Sequence, residues 1–287
     1  MTGVPADRPT VTGQDASRPW VTCLFAVTDT PVPDGVLAVT PGHDGGGPLR
    51  ILEAGPLRLV VQDVPVAAFG EEALARRLDR PDELERCARA HHRAVETAAR
   101  EGAAVPLPMA TLYLDDHNAV RAVTAREAPL RTLLDRLRDR SEWAVKVYCA
   151  GPARTSGAAS GVAGDGGPAD GRSYLSRVST RRRTEREARE TALARAHAVD
   201  RELRRYAVAA TRHRPQSEQL TGRSVPQLLN AAYLVDDGRR ADFLEAVRRP
   251  ALADGTAVEI TLSGPWIPYS FARLDEVACD AREEVRA

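Results

Sequence analysis

Apolar residues recur along the first half of the chain with the spacings of strands and helices. Strands are predicted for WVTCLFAV (20–27), for both sides of Gly55-Pro56 in LRILEAGPLRLVVQDVP, for VPLPMATLYL and for the strictly alternating EWAVKVYC. The prolines of VPLPMATLYL are typical of an edge strand or a bend. Apolar residues at three- and four-residue spacing predict helices in EEALARRLDR, DELERCARAHHRAVETAARE and APLRTLLDRLRDR. We therefore expect an N-terminal α+β domain over residues 19–150.

The second half repeats the alternation of helix and strand. A long helix rich in arginine and glutamate carries one apolar face, formed by Leu193, Ala196, Val199, Leu203 and Tyr206. After it come two strands, AVAATRHR and PQLLNAAYLV, a short helix, RRADFLEAVRR, and a final strand, TAVEITLSG. This order predicts a second α+β domain over residues 173–287, with a small antiparallel or mixed sheet covered by helices on one side.

Two segments lack the large apolar residues that a core requires. Residues 1–18 are polar and contain prolines, and we predict a disordered tail there. Residues 151–172 are dense in glycine, alanine, serine and proline, which predicts a flexible linker or insertion between the two domains.

Composition limits the classes of partner. The 287 residues contain 40 basic and 40 acidic side chains, so the formal net charge is zero and gives no argument for binding nucleic acid or an anionic membrane. The four cysteines are scattered, as in a reduced cytosolic protein. Neither the N-terminus nor any later segment has the apolar run of a signal peptide or a membrane span. We expect a soluble, cytoplasmic protein.

No motif predicts catalysis, a cofactor or a metal site. The glycine-rich turn GHDGGGP (42–48) lacks the ending of a phosphate-binding loop, and the only lysine, Lys146, lies in a predicted strand. His91 and His92 are adjacent and point in different directions on a helix, so His91 is interpreted as a core or interdomain histidine. The pairs Asp115-Asp116 and Asp236-Asp237 are interpreted as surface turns. We expect no catalytic residues, no cofactor and no metal.

The basic run between Arg172 and Glu190 contains seven arginines and three glutamates. Arginine and glutamate at these spacings form pairs within a helix, and no aromatic residues are interleaved for stacking on bases. The run is therefore interpreted as a solvated helix face, or one that docks on an acidic partner surface, rather than as a nucleic-acid site.

A rigid aromatic segment follows the last strand in TAVEITLSGPWIPYSF (256–271). It holds Trp266, Tyr269 and Phe271, three of the chain's few aromatic residues, together with two prolines that restrict the backbone. Rigid aromatic side chains anchor protein interfaces and also cap the ends of cores. The residues alone leave both roles, partner contact and core capping, open.

The run EITLSGPWIPYSF resembles the C-terminal signature of the gas vesicle protein F/L family (GvpF/GvpL). The matching residues are Leu262, Gly264, Pro265, Trp266, Pro268, Tyr269, Ser270 and Phe271. LLNAAYLVD and ARAHHRAVETAAREGAAVPLPMATLY are similar to family segments in the same order, and EWAVKVY is similar to the strand that closes the family's N-terminal half. The chain departs from the family in PMATLYL, where an Arg-Phe-Gly-Thr run is usual, and at Ile267, where proline is common.

This resemblance implies a non-enzymatic accessory protein of gas vesicle formation. It implies two α+β domains, the C-terminal one ferredoxin-like, and binding to the hydrophobic major shell protein, with other gas vesicle accessory proteins as further partners, in the cytoplasm and at the gas vesicle. The alternatives are a minor structural component of the vesicle and, from a different class, a regulator that binds a small molecule or nucleotide.

Overall fold

The structure is a computed structural model that describes residues 19–149, 171–216, 222–223, 225–252 and 258–273. The chain divides into two compact units, one formed by Met1–Arg140 with Ile267–Ala287 and the other by Ser141–Trp266. The predicted tail (1–18) and residues 151–170 of the predicted linker lie outside the described residues.

The first unit is built on a four-stranded antiparallel sheet. Its strands are β1 (Trp20–Thr28), β2 (Arg50–Ala54), β3 (Leu57–Pro65) and β4 (Ala104–Tyr113), in the order β2-β3-β1-β4. β2 and β3 form the hairpin predicted at Gly55-Pro56, and Gly55 has the positive φ of 62° that favours glycine. β4 is an edge strand with an irregular register opposite β1, as its prolines predict.

Helices cover both faces of this sheet. They are α1 (Asp34–Val39), α2 (Val66–Phe69), α3 (Glu71–Leu78), α4 (Pro81–Ala99), α5 (Asp116–Thr124) and α6 (Glu127–Leu137). Val21 and Cys23 share a buried core with Val95 and Ala98 of α4. Thr22, which alternation places on the opposite face of β1, contacts α5 through a hydrogen bond to Asp116. The short helices α1, α2 and α5 were not predicted.

The glycine-rich turn of residues 42–48 is held against β3 by one side chain. The amide group of Gln62 accepts a hydrogen bond from the His43 backbone at 2.8 Å and donates to the carbonyl oxygens of His43 and Gly47 at 3.1 and 2.7 Å. A Cβ atom at Gly42 or Gly46 would lie about 2.6 or 2.5 Å from that side chain. Close packing against Gln62 therefore explains the glycines at positions 42 and 46.

The second unit has the β-α-β-β-α-β order of a ferredoxin-like fold. It contains β5 (Arg140–Cys149), α7 (Gly171–Leu203), β6 (Ala209–Arg212), β7 (Gln227–Asp236), α8 (Arg240–Leu252) and β8 (Val258–Trp266). The strands lie in the order β6-β7-β5-β8. Ala196 and Val199 of α7 and Phe243 of α8 share one core with Val145 and Tyr233, so both helices cover the same face of the sheet. The predicted α+β class and ferredoxin-like C-terminal domain are confirmed.

The resemblance of EWAVKVY to a family segment implied that β5 closes the N-terminal half of the protein. In the structure, β5 is not part of the first sheet. It pairs with β8 in the second sheet, with Val145 opposite Leu262 and Val147 opposite Ile260. The compact units therefore divide near Arg140 and again after Trp266, whereas the domains predicted from sequence divide at residues 151–172. The pairing of β5 with β8, which lie more than a hundred residues apart in the chain, determines where the units divide. The local sequence pattern does not predict such a pairing.

Among the side chains of the long helix α7 that the structure describes, the buried ones lie in its C-terminal part. Ala192, Ala196, Val199 and Leu203 are buried, whereas every residue from Thr184 to Thr191 whose side chain is described is exposed. Arg183 pairs with Glu187, and Arg186 pairs with Glu190, each at 2.9 Å. The described part of the basic run is therefore the solvated, ion-paired helix face that the spacing predicts.

Candidate functional site

The aromatic segment begins where β8 leaves the second sheet. Gly264 has a φ of 136° and precedes a cis peptide bond to Pro265. A Cβ atom on Gly264 would lie 2.9 Å from the carbonyl oxygen of Glu142 and 3.0 Å from the Trp143 ring. Only glycine fits this position without strain, because the backbone conformation and the close approach both exclude a side chain.

Trp266 is the last residue of β8 and belongs to the second unit. It lies opposite Glu142 of β5 and keeps 48% of its surface exposed. Its indole Nε1 donates a hydrogen bond to the Ser263 hydroxyl at 3.3 Å. The polar end of the ring is thereby held while much of its apolar surface faces solvent.

Tyr269 and Phe271 belong to the first unit, because the chain passes into it after Trp266. They form a short 3₁₀ helix, and the preceding Ile267 packs on the core of the first sheet. Phe271 is 2% exposed, whereas Tyr269 is 38% exposed and its ring lies 6.1 Å from that of His92 on α4. Burial of the phenol, assisted by the Glu96 carboxylate, raises the pKa of Tyr269 to about 12.

The three predicted residues are therefore divided between the two units. Phe271 is a buried side chain of the first unit, and Trp266 and Tyr269 present apolar surface from two different units. The exposed rings of Trp266 and Tyr269 are suited to contact with another apolar surface.

A polar network on the outer face of the first sheet was not predicted. Arg50 donates hydrogen bonds to Asp63 at 2.6 Å and to both oxygens of Asp116 at 2.8 and 2.9 Å, and Thr22 donates to Asp116 at 2.8 Å. Burial acts to raise the pKa of Asp116, but the hydrogen bonds from Arg50 and Thr22 outweigh it and the pKa is lowered. Asp116 lies in the first turn of α5 with its side chain 45% exposed, so it is a surface residue, but its partners Arg50 and Thr22 are distant in sequence.

The second unit contains a buried carboxylate. Asp200 on α7 is 1% exposed and accepts hydrogen bonds from Tyr233 at 2.6 Å, Arg212 at 2.6 Å and Arg204 at 3.0 Å. Burial acts to raise the pKa of Asp200, yet these three donors lower it overall. This fully satisfied network joins α7 to β6 and β7, and we assign it to stability of the fold.

Two buried histidines lie in the core of the first unit. His43 and His91 are both 4% exposed, and the Phe25 ring lies between them at centroid distances of 5.2 and 5.5 Å. Burial lowers the pKa of each ring to about 4. His91 is therefore the core histidine that its place on the apolar face of α4 predicts, while His92 remains partly exposed beside Tyr269.

Neither a metal site nor a membrane-spanning helix is found in the described part of the chain. No three histidine, cysteine or acidic side chains are placed there to hold a metal ion. No helix among those residues combines the length and the apolar character that crossing a membrane requires.

Comparison with known proteins agrees with this architecture. The sequence model of the family described as "Gas vesicle synthesis protein GvpL/GvpF" matches residues 22–273. A curated relative, "Gas vesicle protein L" of Streptomyces sp. (strain CB03234), is 37% identical over 246 residues, which cover 85% of this chain and 90% of the relative. The chain belongs to the GvpL/GvpF family. The resemblance carried by Leu262 to Phe271 is thereby confirmed.

Solved structures of GvpF proteins share the fold. The crystal structure of GvpF from Anabaena sp. PCC7120 aligns with a TM-score of 0.60 and 16% identity over 88% of this chain and 96% of that one. GvpF from Microcystis aeruginosa aligns with a TM-score of 0.57 and 16% identity over 88% of this chain and 99% of that one. Membership in the GvpL/GvpF family assigns the chain a role in gas vesicle assembly.

Proposed function

We propose that this GvpL/GvpF protein acts without enzymatic chemistry, by binding the hydrophobic major shell protein and assisting its assembly into the vesicle wall. The family match over residues 22–273 is the observation that carries the proposal. A shell subunit that exposes apolar surface and strand edges before assembly would aggregate, and a protein that covers those surfaces transiently would prevent this.

Trp266 and Tyr269 are the proposed contact residues, and Phe271 is the proposed core-capping residue. Exposed tryptophan and tyrosine contribute large apolar area at a small cost in side-chain entropy, which is why they dominate many interfaces. Phe271 is buried in the first unit and supports the segment that carries Tyr269. Other gas vesicle accessory proteins are further proposed partners.

Co-expression with the major shell protein tests the proposal. The full chain is expected to retain shell protein in the soluble fraction and to co-purify with it. Trp266→Ala and Tyr269→Ala are expected to weaken this capture, each by about tenfold or more. Val208→Ala in the second unit and Leu84→Ala in the first remove comparably exposed apolar side chains and serve as matched controls.

Failure of the full chain to solubilise or co-purify with the shell protein would refute the proposed function. Capture that is equally strong in both aromatic variants and both controls would refute only the assignment of Trp266 and Tyr269. Recovery of the protein on washed vesicles would instead favour a minor structural component.

A further inference from the structure

A second surface of the first unit combines exposed apolar side chains with fixed negative charge. Trp20 begins β1 and Leu114 directly follows β4, and these strands are paired so that Thr22 lies opposite Tyr113. Trp20 is 47% exposed and Leu114 is 37% exposed. Both line one concavity at this end of the sheet, whose other walls include Gly47, Arg50, Asp63 and His117.

We call this concavity the Trp20–Leu114 cleft. Arg50 and the carboxylates paired with it form the polar wall of the cleft. Residues Trp20 and Thr22 share one face of β1, and Asp63 lies opposite Thr22 on β3. Arg50 fixes the Asp63 carboxylate from one side and the Asp116 carboxylate from the other. The charged groups are therefore oriented before any partner arrives, which lowers the entropy lost on binding.

The cleft carries a negative excess. Three carboxylates, those of Asp63, Asp115 and Asp116, line it together with the single guanidinium of Arg50. The side chains of Asp63 and Asp116 remain 46% and 45% exposed. Such a wall repels phosphates and acidic peptides and attracts a cationic side chain.

We propose that the Trp20–Leu114 cleft binds a segment of the shell protein in which an apolar side chain is followed or preceded by lysine or arginine. The apolar side chain packs between Trp20 and Leu114, and the cation approaches the carboxylates of Asp63 and Asp116. The Trp20 ring adds a face that attracts the same cation. This inference rests on the proposed function and names the chemistry of the segment that the first unit takes.

Peptides that tile the shell protein, titrated against the full chain by fluorescence anisotropy, test the inference. Each peptide with an apolar residue next to lysine or arginine is compared with its glutamine-substituted counterpart. We expect the basic peptide to bind more tightly, with an affinity that falls as salt is raised, and the glutamine peptide to lose most of that salt dependence.

Variants of the protein separate the two parts of the cleft. Trp20→Ala is expected to weaken peptide binding by about 30-fold, mainly through faster dissociation. Asp63→Asn keeps an oxygen for Arg50 but removes a charge, so it is expected to slow association several-fold and to flatten its salt dependence. Val39→Ala removes the most exposed of the large apolar side chains on described residues and is the matched control.

The outcomes distinguish the two proposals. If the full chain captures the shell protein and Trp20→Ala binds as tightly as Val39→Ala, the cleft inference is wrong and the proposed function stands. If peptides bind equally with lysine, arginine or glutamine, the charge complementarity is wrong. If the full chain captures neither shell protein nor peptides, both proposals fail.

Discussion

Individual buried polar residues carry much of the specificity of this fold. Asp200 shows how a single carboxylate can be buried at 1% exposure, because one tyrosine and two arginines supply its hydrogen bonds. In the first unit the charges are reversed, because the single guanidinium of Arg50 donates hydrogen bonds to the two carboxylates of Asp63 and Asp116. Apart from Arg204, one helical turn after Asp200, these partners lie 12 or more residues away in the chain, and no motif predicted them.

Replacement of Asp200 tests the energetic weight of its network. Asp200→Ala leaves the Tyr233 hydroxyl buried without its acceptor and is expected to lower the free energy of unfolding by about 3–5 kcal/mol. Asp242→Ala, an exposed aspartate on α8 of the same unit, is expected to change it by less than about 0.5 kcal/mol. Chemical denaturation monitored by circular dichroism makes the comparison, and equal effects would contradict the assignment.

The buried histidines predict a dependence of stability on pH. Burial lowers the pKa of His43 and His91 to about 4, from an ordinary value of 6.5. The unfolded chain therefore binds more protons between these values, so stability is complete above pH 6.5 and is lost as pH falls towards 4. The expected loss is about 1.4 kcal/mol per pH unit for each histidine, measured by denaturation at a series of pH values.

A variant separates these histidines from other acid-sensitive groups. His91→Leu fills the site with an uncharged side chain of similar size, and it should remove about half of the pH dependence between pH 4 and 6.5 even if its stability at pH 7 changes. An unchanged slope in this variant would show that the buried rings are not responsible.

At the scale of elements, the main strands and helices follow local pattern, and short elements do not. β3, β7, α4 and α6 have alternating, apolar or amphipathic runs long enough to be predicted. The helices α1 and α2, with six and four residues, are too short to show periodicity, whereas α5 has nine residues and begins in the acidic pair that was interpreted as a turn. In α4, Leu84 has the spacing of the apolar face but is exposed, because the buried part of that face begins at Cys87.

The turn at Gly264 gives a test at this scale. Gly264→Ala places a methyl group 2.9 Å from the Glu142 carbonyl oxygen at a φ of 136°, and we expect it to lower the melting temperature with a loss of about 2 kcal/mol or more. Gly238→Ala, where nothing lies within 4 Å of the added carbon, is the matched control and should be nearly neutral. Equal melting temperatures would contradict the strain argument.

At the scale of the whole molecule, the first unit is discontinuous in sequence. It is assembled from the residues up to Arg140 and the segment that begins at Ile267, with the entire second unit inserted between them. The family signature around Trp266 lies at this crossing, which gives its stiff backbone a structural reason in addition to the proposed partner contact.

Removal of the chain after Trp266 tests this assembly. Because Phe271 is buried in the first unit and Ile267 packs on its core, the truncated protein should lose hydrogen-exchange protection in β1 to β4 and keep it in β5, β7 and β8. Phe271→Ala in the full chain should act in the same direction, at a cost of about 3 kcal/mol or more. Loss of protection in the second sheet alone would contradict the division into units.

The sequence by itself determined the α+β class, most long elements, the core position of His91 and the family, because period, propensity and motif are properties of neighbouring residues. Tertiary structure decided the sheet to which β5 belongs, the assignment of Trp266 to one unit and of Tyr269 and Phe271 to the other, and the distant partners of Asp116 and Asp200. These depend on strand pairing and on contacts between residues far apart in the chain, whose free energy appears only when the core forms.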